Sequence, residues 1–200
     1  MNLLPKDLLS VLDLGSGNGR FYLFLEKNLH KDFNYLGLDQ SDSLMDIAIG
    51  KYGTKDNFKQ KKFDVISEIE KVKSSYDVVI AFGLTHHIPS QVLRKKWFEA
   101  VGKLINKDGL LIMTFWNLSK EGKKSQEWLK DGLRKMLEKG DSFKGWKDIK
   151  SELRYVHIYS EEEISKVIKI QKKNKLRLID RFYSDESKNS LNLYLIFKKD

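Results

Sequence analysis

Apolar positions in this chain alternate between short continuous runs and longer stretches at helical spacing. Residues 10–14, Ser-Val-Leu-Asp-Leu, form a run that stops at Gly15 and reads as a buried strand. Phe21, Phe24, Leu25 and Leu29 then recur at helical spacing. Residues 35–38 are a second strand closed by Asp39, and Ser41 stands as N-cap of a helix carrying Leu44, Ile47 and Ala48. Residues 63–65 read as a weaker third strand. The strongest strand is 76–82, whose unbroken apolar run implies burial on both faces, as in a parallel sheet. Ser90 caps a helix with Leu93, Trp97, Val101 and Leu104 on one stripe; residues 106–109 form a turn, and 110–116 the next strand.

Strand and helix alternate five times, which predicts a doubly wound α/β sheet. The tail departs from that rhythm. Ser160 and Glu163 make a capping box for a helix with Ile164, Val167 and Ile168. Residues 176–183 and 191–197 then read as two strands joined by a polar stretch, a terminal hairpin that makes one sheet edge antiparallel. Residues 119–153 interrupt the alternation as a helical insertion, with Leu129, Leu133, Met136 and Leu137 on one stripe and Gly140 as its C-cap. No repeat, low-complexity tract or linker marks a second unit, so residues 1–200 are read as one domain.

Composition narrows the function classes. Hydrophobic residues are 40% of the chain, enough for a sizeable core and too many for a disordered one. No apolar run has the roughly 20 residues of a membrane span, and the opening residues lack the layout of a secretory signal. The absence of cysteine excludes disulfides, thiolate zinc sites and a cysteine nucleophile, and it suits a reducing cytoplasm. Four histidines without an H-E-x-x-H pattern suggest no metal site. The net charge of +9 is concentrated late: residues 118–200 hold 21 Lys/Arg against 14 Asp/Glu. That asymmetry fits a polyanionic partner such as RNA, and equally a chain with solvated lysine faces.

The chemistry concentrates where the first strand turns into the first helix. Gly15-Ser16-Gly17-Asn18-Gly19 lets the backbone approach a ligand, and the following helix N-terminus presents unpaired N–H groups to an anion. Asp39, 20 residues beyond Gly19, closes the second strand where a carboxylate accepts hydrogen bonds from a ribose diol. NAD and S-adenosylmethionine both fit such a pair. The glycine spacing is G-x-G-x-G rather than the dinucleotide G-x-G-x-x-G, which favours a methionyl carboxylate over a pyrophosphate.

Residues 11–20 (VLDLGSGNGR), Asp39 and residues 76–80 (YDVVI) together resemble the class I S-adenosylmethionine-dependent methyltransferases. The resemblance implies a seven-stranded, mostly parallel sheet with an antiparallel terminal hairpin strand. It implies S-adenosylmethionine as cofactor and S-adenosylhomocysteine as product, without a metal. Gly15, Ser16, Gly17 and Gly19 would surround the methionyl part. Asp13 would position that loop or the ammonium, and Asp39 would bind the ribose. Gln40 would lie beside the adenine, Asp64 would accept its exocyclic amine, and Phe82 and Gly83 would line the sulfonium side.

A narrower resemblance lies downstream. Residues 82–90 (FGLTHHIPS), 114–117 (TFWN) and 154–159 (RYVHIY) followed by Glu163-Ile164 look like stretches of the tRNA wobble-uridine carboxymethyl methyltransferases. Asp141, Phe143 and Trp146 match a further segment of those enzymes. The resemblance implies a tRNA partner, allows for a small activating protein subunit, and makes the acceptor a carboxylate methylated to its ester. A carboxylate is ionised at pH 7 and needs alignment rather than a general base. Arg154 is the candidate fork for it. Tyr155, His86 and Asn117 complete the candidate catalytic set. In an extended segment Tyr155, His157 and Tyr159 share one face and Arg154 the other, so Arg154 and Tyr155 do not both point into one pocket unless the strand twists.

Two other functions stay open on the sequence: a methyltransferase acting on a small molecule, and a non-catalytic subunit of this fold that binds RNA or a protein. Methyl transfer to metabolites but not tRNA separates the first. Absence of S-adenosylmethionine binding separates the second.

Overall fold

The computed structural model describes residues 7–116, 137–146, 149–184 and 192–200, with residues 144–146 and 149–153 described as backbone. Among the described residues, nine strands and four α-helices follow in order: β1 (Leu8–Leu14), α1 (Arg20–Asn28), β2 (Asp32–Asp39), α2 (Asp42–Tyr52), β3 (Phe58–Lys62), β4 (Tyr76–Ala81), α3 (Gln91–Val101), β5 (Ile105–Trp116), β6 (Asp141–Trp146), β7 (Ile149–His157), α4 (Glu161–Lys173), β8 (Leu176–Ser184) and β9 (Asn192–Lys199). Seven strands form one sheet in the order β3-β2-β1-β4-β5-β9-β8. β1 to β5 run parallel, while β9 pairs antiparallel with both β5 and β8. The strand order reverses between β1 and β4, the switch point where open α/β sheets bind ligands.

The buried alternation of each strand divides the core between two faces. Leu9, Val11, Phe33, Tyr35, Phe58, Val78 and Ile80 pack under α1 and α2, centred on Tyr22 and Ala48. Leu12, Leu14, Val79, Leu111, Phe115 and Phe197 pack under α3 and α4 through Trp97, Phe98, Ile164 and Val167. The capping box at Ser160 forms as the spacing requires, with Ser160 Oγ accepting from Glu163 N–H and the Glu163 carboxylate accepting from Ser160 N–H. Among the described residues no helix is long and apolar enough to cross a membrane.

Several elements depart from the sequence pattern. The third strand is the polar stretch Phe58–Lys62, an edge strand of which Phe58 alone is buried. Residues 63–65 lie just beyond it. Phe63 N–H still donates to Asp39 C=O at 2.8 Å, but then the Trp97 indole donates to Val65 C=O at 2.8 Å and the Asp64 carboxylate caps the N–H groups of Ile66 and Ser67, so the chain leaves the sheet. A single 3-10 turn, Ile69–Lys71, leads into β4. Residues 106–109 do not end an element. They form an irregularity inside β5, where the register with β4 slips and Asp108 takes φ 62°. On α2 the buried residues are Met45 and Ala48, and Leu44 and Ile47 are exposed; on α1, Tyr22 and Leu25 are buried and Phe24 is exposed. Ser41 holds the N-cap position of α2, but its hydroxyl caps nothing; its N–H instead donates to Asp39.

The expected helical stripe of the insertion falls outside the described residues apart from Leu137. Its later part is not helical. β6 and β7 form a separate antiparallel ribbon, with Phe143 opposite Tyr155 and Asp141 opposite His157. Gly140 turns into the ribbon at φ 97°, and its carbonyl accepts Ile158 N–H.

Candidate active site

The glycine loop sits on the C-terminal ends of β1 and β2. Gly15 and Ser16 N–H both donate to Leu38 C=O, at 2.8 and 3.2 Å, which folds the loop over the second strand. Gly15, Gly17 and Gly19 take φ values of 76°, 52° and 77°, a left-handed region that side chains rarely adopt. Asp39 is nearly buried beneath this loop. One carboxylate oxygen accepts Gly17 N–H at 2.7 Å and the other accepts Ser41 N–H at 2.8 Å. An ionised carboxylate has about four lone-pair sites, so acceptor capacity remains on a group whose position the backbone fixes.

Two residues outside the expected set hold this loop. Gln60, on β3, donates to Ser16 Oγ at 2.9 Å and to Gly17 C=O at 2.8 Å. Its own Oε1 is buried without a partner, an acceptor left open beside the loop. Gly37 gives the loop its room: a Cβ there would stand 2.6 Å from Ser16 Oγ and 2.8 Å from Ser16 Cβ. Gly37→Ala is expected to displace the loop, costing about 1–3 kcal/mol of stability and weakening cofactor binding. A second change, Ser16→Gly, should recover much of both losses in a double-mutant cycle read by denaturation and calorimetry. Additive losses would show that this contact does not matter.

Asp13 faces the same side as Tyr35, whose hydroxyl donates to it. Burial pushes Asp13 up to about 7, against the hydrogen bond from Tyr35 and with the help of the Asp39 charge. It therefore braces β1 against β2 directly below the loop. Gln40 is exposed beside Asp39. Asp64 lies past β3, with both carboxylate oxygens engaged in capping its own turn. That local commitment holds it below the usual carboxylate range although desolvation acts the other way.

Across the crevice, β4 ends at Ala81 and the chain passes through Phe82 and Gly83. Strand alternation carries the Phe82 ring to the α1 face, against Phe21 and Tyr194, so its backbone rather than its ring borders the crevice. Gly83 takes φ 65°, donates to Thr114 Oγ1 at 2.9 Å, and a Cβ on it would meet nothing within 4 Å. His86 is buried and stacked on Trp116, with ring centroids 3.8 Å apart and planes 15° apart. Its Nδ1 has no partner. Burial, then the neighbouring His87 and Arg154 charges, push its pKa down to about 2, so it is a neutral imidazole. His87 is also lowered, by burial first; its Nδ1 lies 2.9 Å from Tyr155 C=O.

A model of the methyltransferase domain family matches residues 12–111, half of the chain. The chain belongs to that methyltransferase family. It is 33% identical over 122 residues to the carboxy-S-adenosyl-L-methionine synthase of Campylobacter jejuni, a match covering 56% of this chain and 48% of that protein; the chain thus matches about half the length of its curated relatives. Solved structures share the fold, among them the following two. A SAM-dependent methyltransferase from Methanosarcina mazei is 14% identical, with a TM-score of 0.70 over 99% of this chain and 95% of the other. The magnesium protoporphyrin IX methyltransferase of Synechocystis, solved with bound SAM, is 14% identical, with a TM-score of 0.63 over 100% and 72%.

The residues of this methyltransferase's crevice suit a sulfonium nucleoside. The three left-handed glycines make a concave backbone cradle, the fixed Asp39 carboxylate can accept from a diol, and the space opposite Gly83 is open. Of the expected catalytic groups, Asn117 lies outside the described residues. Tyr155 turns away from the crevice. Its hydroxyl donates to Asp141 at 2.6 Å and accepts from Arg94 at 3.2 Å; burial and the Asp141 carboxylate raise it above the ordinary tyrosine range, against the pull of Arg94. The extended reading of this segment holds, and it puts Arg154, exposed, on the other face. Arg154 comes close enough to His86 and His87 for its charge to depress both.

The network behind Tyr155 is absent from the sequence-derived site. Arg94 is almost fully buried and reaches Glu138, Asp141 and Glu163, while His157 bridges Asp141 at 2.7 Å and Glu163 at 2.9 Å. The signal was present: Arg94 shares the 94, 97, 98, 101 stripe that α3 buries. Gly37 was likewise legible as an isolated glycine inside a strand, a mark of close backbone approach. Gln60 was not, because the polar edge strand carrying it has no hydrophobic signature.

Proposed function

We propose that this methyltransferase binds S-adenosylmethionine in the β1–β4 crevice and methylates a carboxylate on a tRNA wobble-uridine side chain, giving the methyl ester. Gly15, Ser16, Gly17 and Gly19 hold the methionyl end, Asp13 braces the loop, and Asp39 grips the ribose. Gln40 and Asp64 flank the adenine, and the Phe82–Gly83 backbone borders the sulfonium. When bound, the cofactor supplies an electrophilic methyl and leaves as a neutral thioether. The acceptor oxygen is already anionic, so no proton has to move.

The observation that supports this reading is the company Arg154 keeps. It presents a cation beside two imidazoles held neutral and a stacked indole. The described groups at that end of β4 and β5 suit orientation of an ionised, planar acceptor better than deprotonation of a neutral one. The late-chain excess of Lys and Arg favours a polyanionic carrier for it.

The test is incubation with methyl-labelled cofactor and bulk tRNA, digestion to nucleosides and identification of the product by mass. A uridine methyl ester is expected, and Arg154→Met should lower kcat/KM about 100-fold with cofactor affinity unchanged. Label on tRNA that survives Arg154→Met undiminished would remove Arg154 from the reaction. The match to a carboxy-S-adenosyl-L-methionine synthase supports a second reading, in which the anion held by Arg154 belongs to a small molecule. The same assay then shows a modified small molecule and unlabelled tRNA.

A further inference from the structure

The α1 face of the sheet carries an aromatic row that the proposed chemistry does not use. α1 and α2 cover β1, β2 and β3 on this side. Beyond α1 the rings continue across the other strands. Phe24 stacks on Phe21 at 5.7 Å between centroids, and Phe21 meets Phe82 edge-on at 5.2 Å. Phe82 meets Tyr194 at 5.8 Å, and Tyr194 stacks on Phe182 at 5.0 Å with the planes 3° apart. The register explains the alignment, since Thr114 pairs with Tyr194 on β9 and Tyr194 with Phe182 on β8. Thr114 is also the residue that receives Gly83 N–H. The row therefore runs at the level of the crevice, from its lip out to the edge strand.

Its two ends are open, with Phe24 55% and Phe182 41% exposed. Exposed aromatic rings in a line are costly for a surface that only meets water. Cations share the surface with them. Arg20 precedes Phe21 on α1, and Arg177 pairs with Lys198 across β8 and β9 on the same sheet face as Tyr194. Asp180 is the acidic residue on those rungs, and the Arg177–Asp200 contact at 3.6 Å is exposed and weak. A line of rings with an exposed ring at each end, and with arginine and lysine further along the same surface, suits unpaired nucleobases on a phosphate backbone, because every base offers a π-face and the cations meet the phosphates. An aliphatic protein partner would find a ladder of rings and charges instead.

We infer that this row is a stacking platform for unpaired bases of an RNA loop, which it leads from the edge strand toward the cofactor crevice. The inference rests on the RNA reading of the acceptor and adds the surface that would hold it. Phe24→Ser and Phe182→Ser test it, because both side chains are exposed and neither borders the crevice. Binding of a fluorescent RNA hairpin with a single-stranded loop should weaken about tenfold for each variant. Calorimetric affinity for S-adenosylmethionine and the thermal midpoint should stay at wild-type values. Hairpin binding by the wild type that both variants retain would overturn the platform and leave the RNA reading standing. Absence of hairpin and tRNA binding by the wild type would overturn both, with cofactor binding still reporting on the crevice. A wild-type dimer by light scattering that Phe182→Ser converts to monomer would overturn the platform in favour of a second copy of this chain.

Discussion

Asp39→Ala should all but abolish cofactor binding, weakening calorimetric affinity for S-adenosylmethionine on the order of 100-fold or more. Two losses combine in that figure. The first is the proposed pair of charge-assisted hydrogen bonds to a ribose diol, each worth about 1.5–3 kcal/mol where an ionised group is involved. The second is the loop itself. Asp39 accepts Gly17 N–H at 2.7 Å and Ser41 N–H at 2.8 Å, so the same carboxylate anchors the cradle and the start of α2. Asp39→Asn separates the two. It keeps one acceptor oxygen and the side-chain shape but loses the charge, and it should fall between wild type and Asp39→Ala. S-adenosylhomocysteine, which lacks the sulfonium charge, should suffer the same loss, because the proposed contact is to the sugar. Affinity within twofold of wild type in Asp39→Ala would show that the ribose is held elsewhere.

The crevice was legible in the sequence because its parts are local. A strand, three glycines at fixed spacing and an acid closing the next strand all declare themselves within 30 residues, and backbone geometry leaves them few other arrangements. The central strands were legible for a related reason: a parallel strand buried on both faces, such as Tyr76–Ala81, must be continuously apolar. Edge elements carry no such constraint. Phe58–Lys62 buries one residue and reads as polar, so the apolar 63–65 stretch looked like the strand. Apolar spacing also misassigned the exposed Phe24, Leu44 and Ile47, because periodicity reports a stripe without saying what covers it. The ribbon was half legible. Its alternation showed that Arg154 and Tyr155 part company, but not which of them turns inward. That depended on Arg94, about 60 residues upstream, and no local pattern links the two.

Arg94→Met should destabilise the protein more than any other single change at the site, by about 3–5 kcal/mol, or on the order of 10 °C in Tm for a chain of this size. Burying an ion pair gains little over burying apolar groups, but removing one partner strands the others. Here the stranded groups come from three parts of the fold. Glu138 and Asp141 lie at the start of the ribbon, Tyr155 and His157 on β7, and Glu163 on α4, with Tyr159 packed edge-on against His157. The loss should appear first as opening of the ribbon, seen as faster amide exchange across β6 and β7. Arg94→Lys keeps the charge without the planar fork and should recover part of it. The same cluster sets a pH window. Burial opposes a proton on His157, but hydrogen bonds to Asp141 and Glu163 outweigh it and raise the imidazole above its usual 6.5. Its contribution is therefore complete below that value and lost as pH rises through the elevated one. Glu163, although desolvation opposes its charge, is held down to about 2 by His157 and Ser160, so its contribution is complete above the usual 4.5 and lost as pH falls toward 2. Stability from the cluster should peak between those two ordinary values, and His157→Gln should flatten the alkaline limb and also shrink the acid limb, because His157 is the first of the groups that hold Glu163 down. A wild-type profile without an alkaline decline, or an Arg94→Met variant within about 1 kcal/mol of wild type, would mean that apolar packing and not this charge cluster holds the ribbon in place.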